Sequence, residues 1–196
     1  MSSTQSIYSK PLQLKEIEAI YKEHMLCDFP PGEIKPIQFI EKLLNNCRYK
    51  CYGFYNGADN RLLAYAFTMA DDIGNMLLLD YFAVCADIRG KGYGSQAIML
   101  LKEACREWDG MIIEVEDDDS TDAEEEKTLR RRRISFYERN HVRMTAEKST
   151  AFDVDYKLMI LPLGNERAEE NLGEKLSSIY RQMLPEQIYK AAFRLR

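Results

Sequence analysis

The chain has 196 residues, 45% of them apolar and 30% charged, with a formal net charge of -5. That length suits one domain with an appendage, and that apolar fraction suits a packed core. The acidic balance excludes general affinity for nucleic acid or membrane surfaces, and no apolar run approaches the ~20 residues of a membrane span.

The opening residues, MSSTQSIYSK, lack the apolar centre of a secretory signal. Five cysteines, at 27, 47, 51, 85 and 105, form no CxxC pair and read as reduced thiols of a cytoplasmic protein. His24 and His141 lie far apart in the chain, so no His-built zinc site is expected, and no metal.

In chain order, LQLKEIEAIYKEHM (12–25) places apolar residues at 14, 17, 20, 21 and 25, a helical stripe. Pro30, Pro31 and Pro36 then break the chain, and IQFIEKLLNN (37–46) predicts a second short helix. CYGFY (51–55), the turn NGADN and RLLAYAFTMA (61–70) read as strand, turn, strand. A further turn leads to MLLLDYFAV (76–84), apolar nearly throughout, as expected of a strand buried on both faces. The helix predicted next carries Ala97, Ile98, Leu101, Ala104, Cys105 and Trp108 on one face. MIIEVE (111–116) is another strand; the acidic DDDSTDAEEE follows, then a helix over KTLRRRRISFYERN, and DYKLMIL (155–161) is the last strand. After Pro162 the pattern is helical, with Leu172, Leu176, Ile179, Tyr180 and Met183 on one stripe and Ile188, Ala192 and Leu195 on another. The order of elements predicts an α/β (α+β) domain around one sheet.

DIRGKGYGSQ (87–96) joins the buried strand to the next helix. It is neither a Walker loop, which ends in GK[ST], nor a GxGxxG fingerprint. Glycines at 90, 92 and 94 alone are compatible with a tight turn. Arg89 and Lys91 add charge beside the unpaired N–H groups and positive dipole end of a helix N-terminus, which together make an anion site.

LDYFAVCADIRGKGYGSQAIMLLKEA resembles the acetyl-CoA-binding signature of the GNAT (Gcn5-related) N-acetyltransferase family: an apolar strand ending in Val, a short polar loop, then Arg or Gln, two residues, Gly, one residue, Gly or Ala. Arg89, Gly92 and Gly94 match it. IIEVE and RRRISFYERNHV resemble the family's next strand and its tyrosine-bearing helix, so the resemblance covers about residues 50–161. It implies a GNAT-like mixed, mostly antiparallel central sheet, splayed between strands 4 and 5 and flanked by helices. It further implies acetyl-CoA as cosubstrate, its pantetheine arm in the splay on the backbone of Phe82, Ala83 and Val84. The diphosphate would rest on the amides of Arg89, Gly90, Lys91, Gly92, Tyr93, Gly94 and Ser95. Tyr137 would protonate the departing thiolate, and Glu114 would be the base, as a glutamate is at the matching place in some ribosomal-protein acetyltransferases of the family.

Glu116 shares the face of Glu114 by the strand period; Glu116 and Asp80 are candidates to bind the amine. Leu78 stands where histone-type members carry their glutamate. Where the family often has asparagine before the tyrosine helix, this chain has Arg130 to Arg133. Arg130 and Arg133 share the helix face of Tyr137 and are candidates for a coenzyme phosphate or an acceptor carboxylate, or else pair in solvent with preceding glutamates. The acidic run reads as a solvated loop and helix start, or as an attractor of a cationic acceptor. Cys85, without a His partner, reads as a buried small apolar residue.

The expectation is an acetyl-CoA-dependent N-acetyltransferase acting on a primary amine by direct attack in a ternary complex, with no nucleic-acid or membrane partner. Residues 1–162 would form the domain and 163–196 a helical extension packed on it or on a partner subunit, in a monomer or homodimer. The alternatives are a non-catalytic acyl-CoA-binding module of the same fold and an interaction protein that has kept the fold alone.

Overall fold

A computed structural model of the chain describes residues 6–46, 48–71, 75–165 and 168–196. The expected strands are present, with three more that periodicity missed. β1 (Ile7–Pro11) precedes α1 (Leu14–Ile20), which continues through a π-helical turn (Tyr21–Met25) into α2 (Leu26–Asp28). α3 (Ile37–Asn45) leads to β2 (Tyr49–Asn56), β3 (Leu62–Asp71) and β4 (Met76–Val84). A 3₁₀ turn at Ala86–Ile88 precedes α4 (Tyr93–Ala104), then β5 (Gly110–Glu116) and α5 (Glu124–Arg139). β6 (Arg143–Ala151), β7 (Val154–Pro162), α6 (Leu172–Met183), α7 (Glu186–Ala192) and β8 (Phe193–Leu195) complete the chain.

The strands pair in the order β1-β2-β3-β4-β5-β7-β6-β8. β1 with β2, β5 with β7, β6 with β7 and β6 with β8 are antiparallel, whereas β4 and β5 are parallel. That parallel ladder joins only Met76–Leu78 to Gly110–Ile112, although the strands run on to Val84 and Glu116. It is the one parallel pair among the described ladders of the expected mixed, mostly antiparallel sheet.

Contacts cluster into two compact units. The first holds the described residues through Thr68 together with Asp80–Ala104; the second holds those of Met69–Leu79 and Cys105–Arg196. In the first, Ile17, Ile20, Met25, Ile40, Phe54, Tyr65 and Phe67 are buried, while Leu14 of the predicted stripe is exposed. A satellite cluster of Leu63, Cys85 and Ile88, with Val84 and Tyr93 against it, seats the start of the glycine loop. Burying side chains of this size contributes ~1.5–3 kcal/mol each.

In the second unit β5 is interrupted only by half-buried Glu114 and Glu116. All five residues of the Leu172–Met183 stripe are buried. The second predicted stripe is corrected: α7 buries no residue, Ile188 is exposed, and Leu195 lies in β8. Phe193 is buried instead, stacked on Tyr180 with ring centroids 4.4 Å apart. β6, RMTAEKSTA, was missed because its polar residues hide the alternation; Ser149 and Thr150 are nonetheless buried.

α6 begins at Asn171, which is left-handed (φ 53°) and supplies no side-chain cap. The first-turn donors are met from elsewhere: the Leu172 and Gly173 amides donate to the Glu147 carboxylate at 3.0 and 2.6 Å. Glu147→Ala removes both acceptors. It is expected to cost about 1–2 kcal/mol, the range of a lost helix cap, read as a lower denaturant midpoint at constant slope.

Candidate active site

Several candidate residues lie in the first unit. Phe82, Ala83 and Val84 end β4 half-buried, and Cys85 follows, buried, its thiol pushed up to about 11 by burial. That thiol contacts the Leu62 carbonyl at 3.5 Å, which fits the apolar reading of Cys85. Gly90 and Gly92 have φ of 80° and 85°, the left-handed region that side-chain-bearing residues rarely adopt. A Cβ at either glycine would meet nothing within 4 Å, so the backbone there is open to an approaching group. Lys91 is exposed and makes no ion pair among the described residues. Tyr93, Gly94 and Ser95 form the first turn of α4, where N–H groups have no intrahelical acceptor. The loop therefore fits a diphosphate on chemical grounds: open backbone, helix N-terminus and flanking cation.

The Arg89 side chain turns the other way. Its Nε donates to the Val84 carbonyl at 3.0 Å, and its guanidinium pairs with the Asp28 carboxylate, which also accepts from the Tyr65 hydroxyl at 2.8 Å. The side chain thus ties the loop to the end of α2. Asp28 carries no motif and could not be found from sequence.

Asp80 is also engaged. Its carboxylate accepts from Lys35 Nζ at 2.7 Å and from the Tyr49 hydroxyl. The Lys35 ammonium lies 5.0 Å from the centroid of the Tyr81 ring. An open carboxylate for an acceptor amine is therefore not what β4 presents.

The remaining candidates lie in the second unit. Tyr137 on α5 is half-buried, its ring 5.2 Å from that of Phe136, edge to face. Its hydroxyl has no hydrogen-bond partner among the described residues. Burial pushes the phenol well above its usual range, with the Arg133 charge pulling in the opposite direction. The Glu114 carboxylate accepts from the Ser149 hydroxyl at one oxygen and the Tyr180 hydroxyl at the other, both at 2.7 Å.

Glu116 pairs with Arg133, and Arg130 Nη2 stands 3.6 Å from it. Arg130 is buried and also reaches the Asp117 carbonyl (2.7 Å), Ser120 Oγ (3.0 Å) and Glu126 (2.6 Å). Glu116 is thus neutralised by the two arginines, and those arginines are not open cations.

The acidic stretch is corrected in part. Asp117 and Asp118 are buried rather than solvated. Lys148 meets Asp117 at 2.7 Å, and Lys157 meets Asp118 at 2.6 Å and Asp119 at 2.8 Å. The hydrogen bond from Lys157 leads in holding Asp118 below the usual carboxylate range. The three carboxylates approach within 4.8 Å of one another. With the strand lysines compensating them, they brace the β5–α5 connection.

A sheet with one short parallel ladder, and a glycine-rich strand-to-helix loop open to an anion, define the coenzyme A-dependent acyltransferase class. The chain belongs to the acetyltransferase (GNAT) family, whose model matches residues 17–141. Solved structures agree in fold. The ribosomal-protein-S18-alanine N-acetyltransferase of Escherichia coli matches at TM-score 0.60 and 17% identity, over 85% of this chain and 98% of that one. A Bacillus subtilis acetyltransferase in complex with CoA matches at 0.57 and 15%, over 81% and 99%. Spermidine N-acetyltransferase from Vibrio cholerae, in complex with CoA and spermine, matches at 0.59 and 12%, over 82% and 97%. No curated protein matches the chain. No described helix is long and apolar enough to cross a membrane.

Proposed function

We propose that this protein transfers the acetyl group of acetyl-CoA to a primary amine by direct attack in a ternary complex. The observation that carries the reading is the pair of left-handed glycines, Gly90 and Gly92, opening the backbone at the head of α4 in a chain of this family. In this reading the amides from Arg89 to Ser95 hold the diphosphate, and the backbone of Phe82 to Val84 pairs with the pantetheine arm. Lys91 adds charge. Arg130 and Arg133 serve the internal pairs described above, as Arg89's side chain does.

Transfer to an amine requires a neutral nucleophile and a protonated leaving thiol. Tyr137 is the proton donor: its phenol holds its proton, and its hydroxyl has no hydrogen-bond partner among the described residues. Glu114 is the base. The Ser149 and Tyr180 hydroxyls, one on each oxygen, fix the orientation of its carboxylate. Residues 163–196 extend the domain of 1–162, packed on their own chain. We place the protein in the cytoplasm, on the odd cysteine number without metal spacing.

The test is thiol release from acetyl-CoA against a panel of small amines, peptide N-termini and lysine peptides, with coenzyme binding measured by calorimetry. Binding with no transfer to any acceptor would favour the non-catalytic module. Glu114→Gln is expected to lower the rate most at low pH, where the acceptor is mostly protonated. An unperturbed lysine near neutrality costs about 4 kcal/mol to deprotonate, an α-amine about 1. A deficit independent of pH would reject Glu114 as base.

A further inference from the structure

We propose that Lys35 is a self-acetylation site, its ammonium held by Asp80 as an acceptor within the same chain. This rests on the acetyl-transfer reading above. The loop Phe29–Pro36, stiffened by Pro30, Pro31 and Pro36, is fastened to β4 through Tyr81. The Tyr81 hydroxyl accepts from the Lys35 amide at 2.8 Å and donates to the Glu33 carbonyl at 2.8 Å. Phe29 packs edge-on against the Tyr81 ring at 5.1 Å. These contacts deliver the Lys35 side chain to a defined place: Nζ lies 2.7 Å from Asp80 Oδ1 and over the Tyr81 ring, with 17% of the side chain exposed.

Asp80 lies two residues before Phe82, about 7 Å along a strand. The carboxylate that holds the amine therefore projects from the same face of the strand as Phe82, two residues from the backbone assigned to the pantetheine arm. Structural pairs of this chain also use lysine, as Lys148 and Lys157 do, but an arginine at position 35 would keep its proton and could not serve as acceptor. Lysine is the cation that loses a proton and becomes a nucleophile.

Asp80 has the geometry to take that proton. One proton passes from the Lys35 ammonium to Asp80, and the nitrogen lone pair forms the C–N bond to the acetyl carbonyl carbon. The nitrogen then sheds its second proton, and the C–S bond breaks with its electron pair on sulfur, which takes that proton up to leave as the thiol. In sum, the ammonium and the thioester give an amide, a free thiol and one proton. The acetylated side chain no longer carries the charge that neutralises Asp80, so the modification opens that carboxylate to an external cationic amine.

The full chain is incubated with acetyl-CoA without any other acceptor, and its intact mass and peptide map are followed. The expected result is one acetyl group at Lys35, gained at a first-order rate independent of protein concentration. Lys35→Arg is expected to abolish it with coenzyme affinity unchanged by calorimetry, and Asp80→Asn to slow it at least tenfold. Should Asp80→Asn fail to fold, Lys35→Arg and the site map still decide. Acetyl-CoA that binds and serves external amines while Lys35 stays unmodified would overturn the proposal alone. So would equal labelling of several surface lysines, or a rate rising with protein concentration. No binding of acetyl-CoA at all would instead overturn the reading on which the proposal rests.

Discussion

Tyr137→Phe is expected to lower turnover by about 10²–10⁴-fold while coenzyme affinity stays nearly intact. The ring and its contact with Phe136 survive the change; only the proton donor is lost. In free energy the loss is about 3–5 kcal/mol of transition-state stabilisation. The phenol suits this role because burial raises its pKa. The sign follows: a raised acid stays protonated to higher pH, so Tyr137 should impose no loss of activity below the usual tyrosine range, about 10. Steady-state and single-turnover rates across pH are the measurement. Unchanged turnover with chemistry rate-limiting would reject the acid role, as would a Tyr137-dependent decline near neutrality.

Gly92→Val should weaken acetyl-CoA binding at least tenfold, equivalent to about 1.4 kcal/mol. Two effects combine. The left-handed backbone at φ 85° is costly for any L side chain, about 1–2 kcal/mol, and worse for a β-branched one. The added atoms also project into open space where nothing of the protein lies within 4 Å, the space assigned to the diphosphate. Gly92→Ala separates the two, carrying the backbone strain with less bulk, and should fall between wild type and valine. Calorimetry with coenzyme A on folded protein decides; an affinity unchanged in both variants would falsify the phosphate-cradle assignment.

The framework was legible because its elements announce themselves locally. β4 is a near-continuous apolar run, and the Arg89–Gly94 spacing marks the turn that follows it. β6 escaped detection because a buried Ser149 looks like a surface serine until its partner, Glu114, is known. The engagement of Asp80 by Lys35 was equally invisible: the two are 45 positions apart and meet only when the proline-rich loop reaches β4. Arg89 illustrates the same limit inside a recognised motif. The spacing identifies the loop, while the choice between phosphate and Asp28 is made by tertiary placement. Candidate residues on strands and helices could be named from the chain, as could a partner one helical turn away such as Glu126 for Arg130, but the distant partners that neutralise the others could not.

Glu147 lies 25 and 26 positions before the two amides it caps at the start of α6. A helix whose first turn depends on so distant a carboxylate has little of its own to nucleate on, and nucleation is the costly step. The α6 N-terminus is satisfied only when β6 is in place, which ties the stability of this helix to that strand.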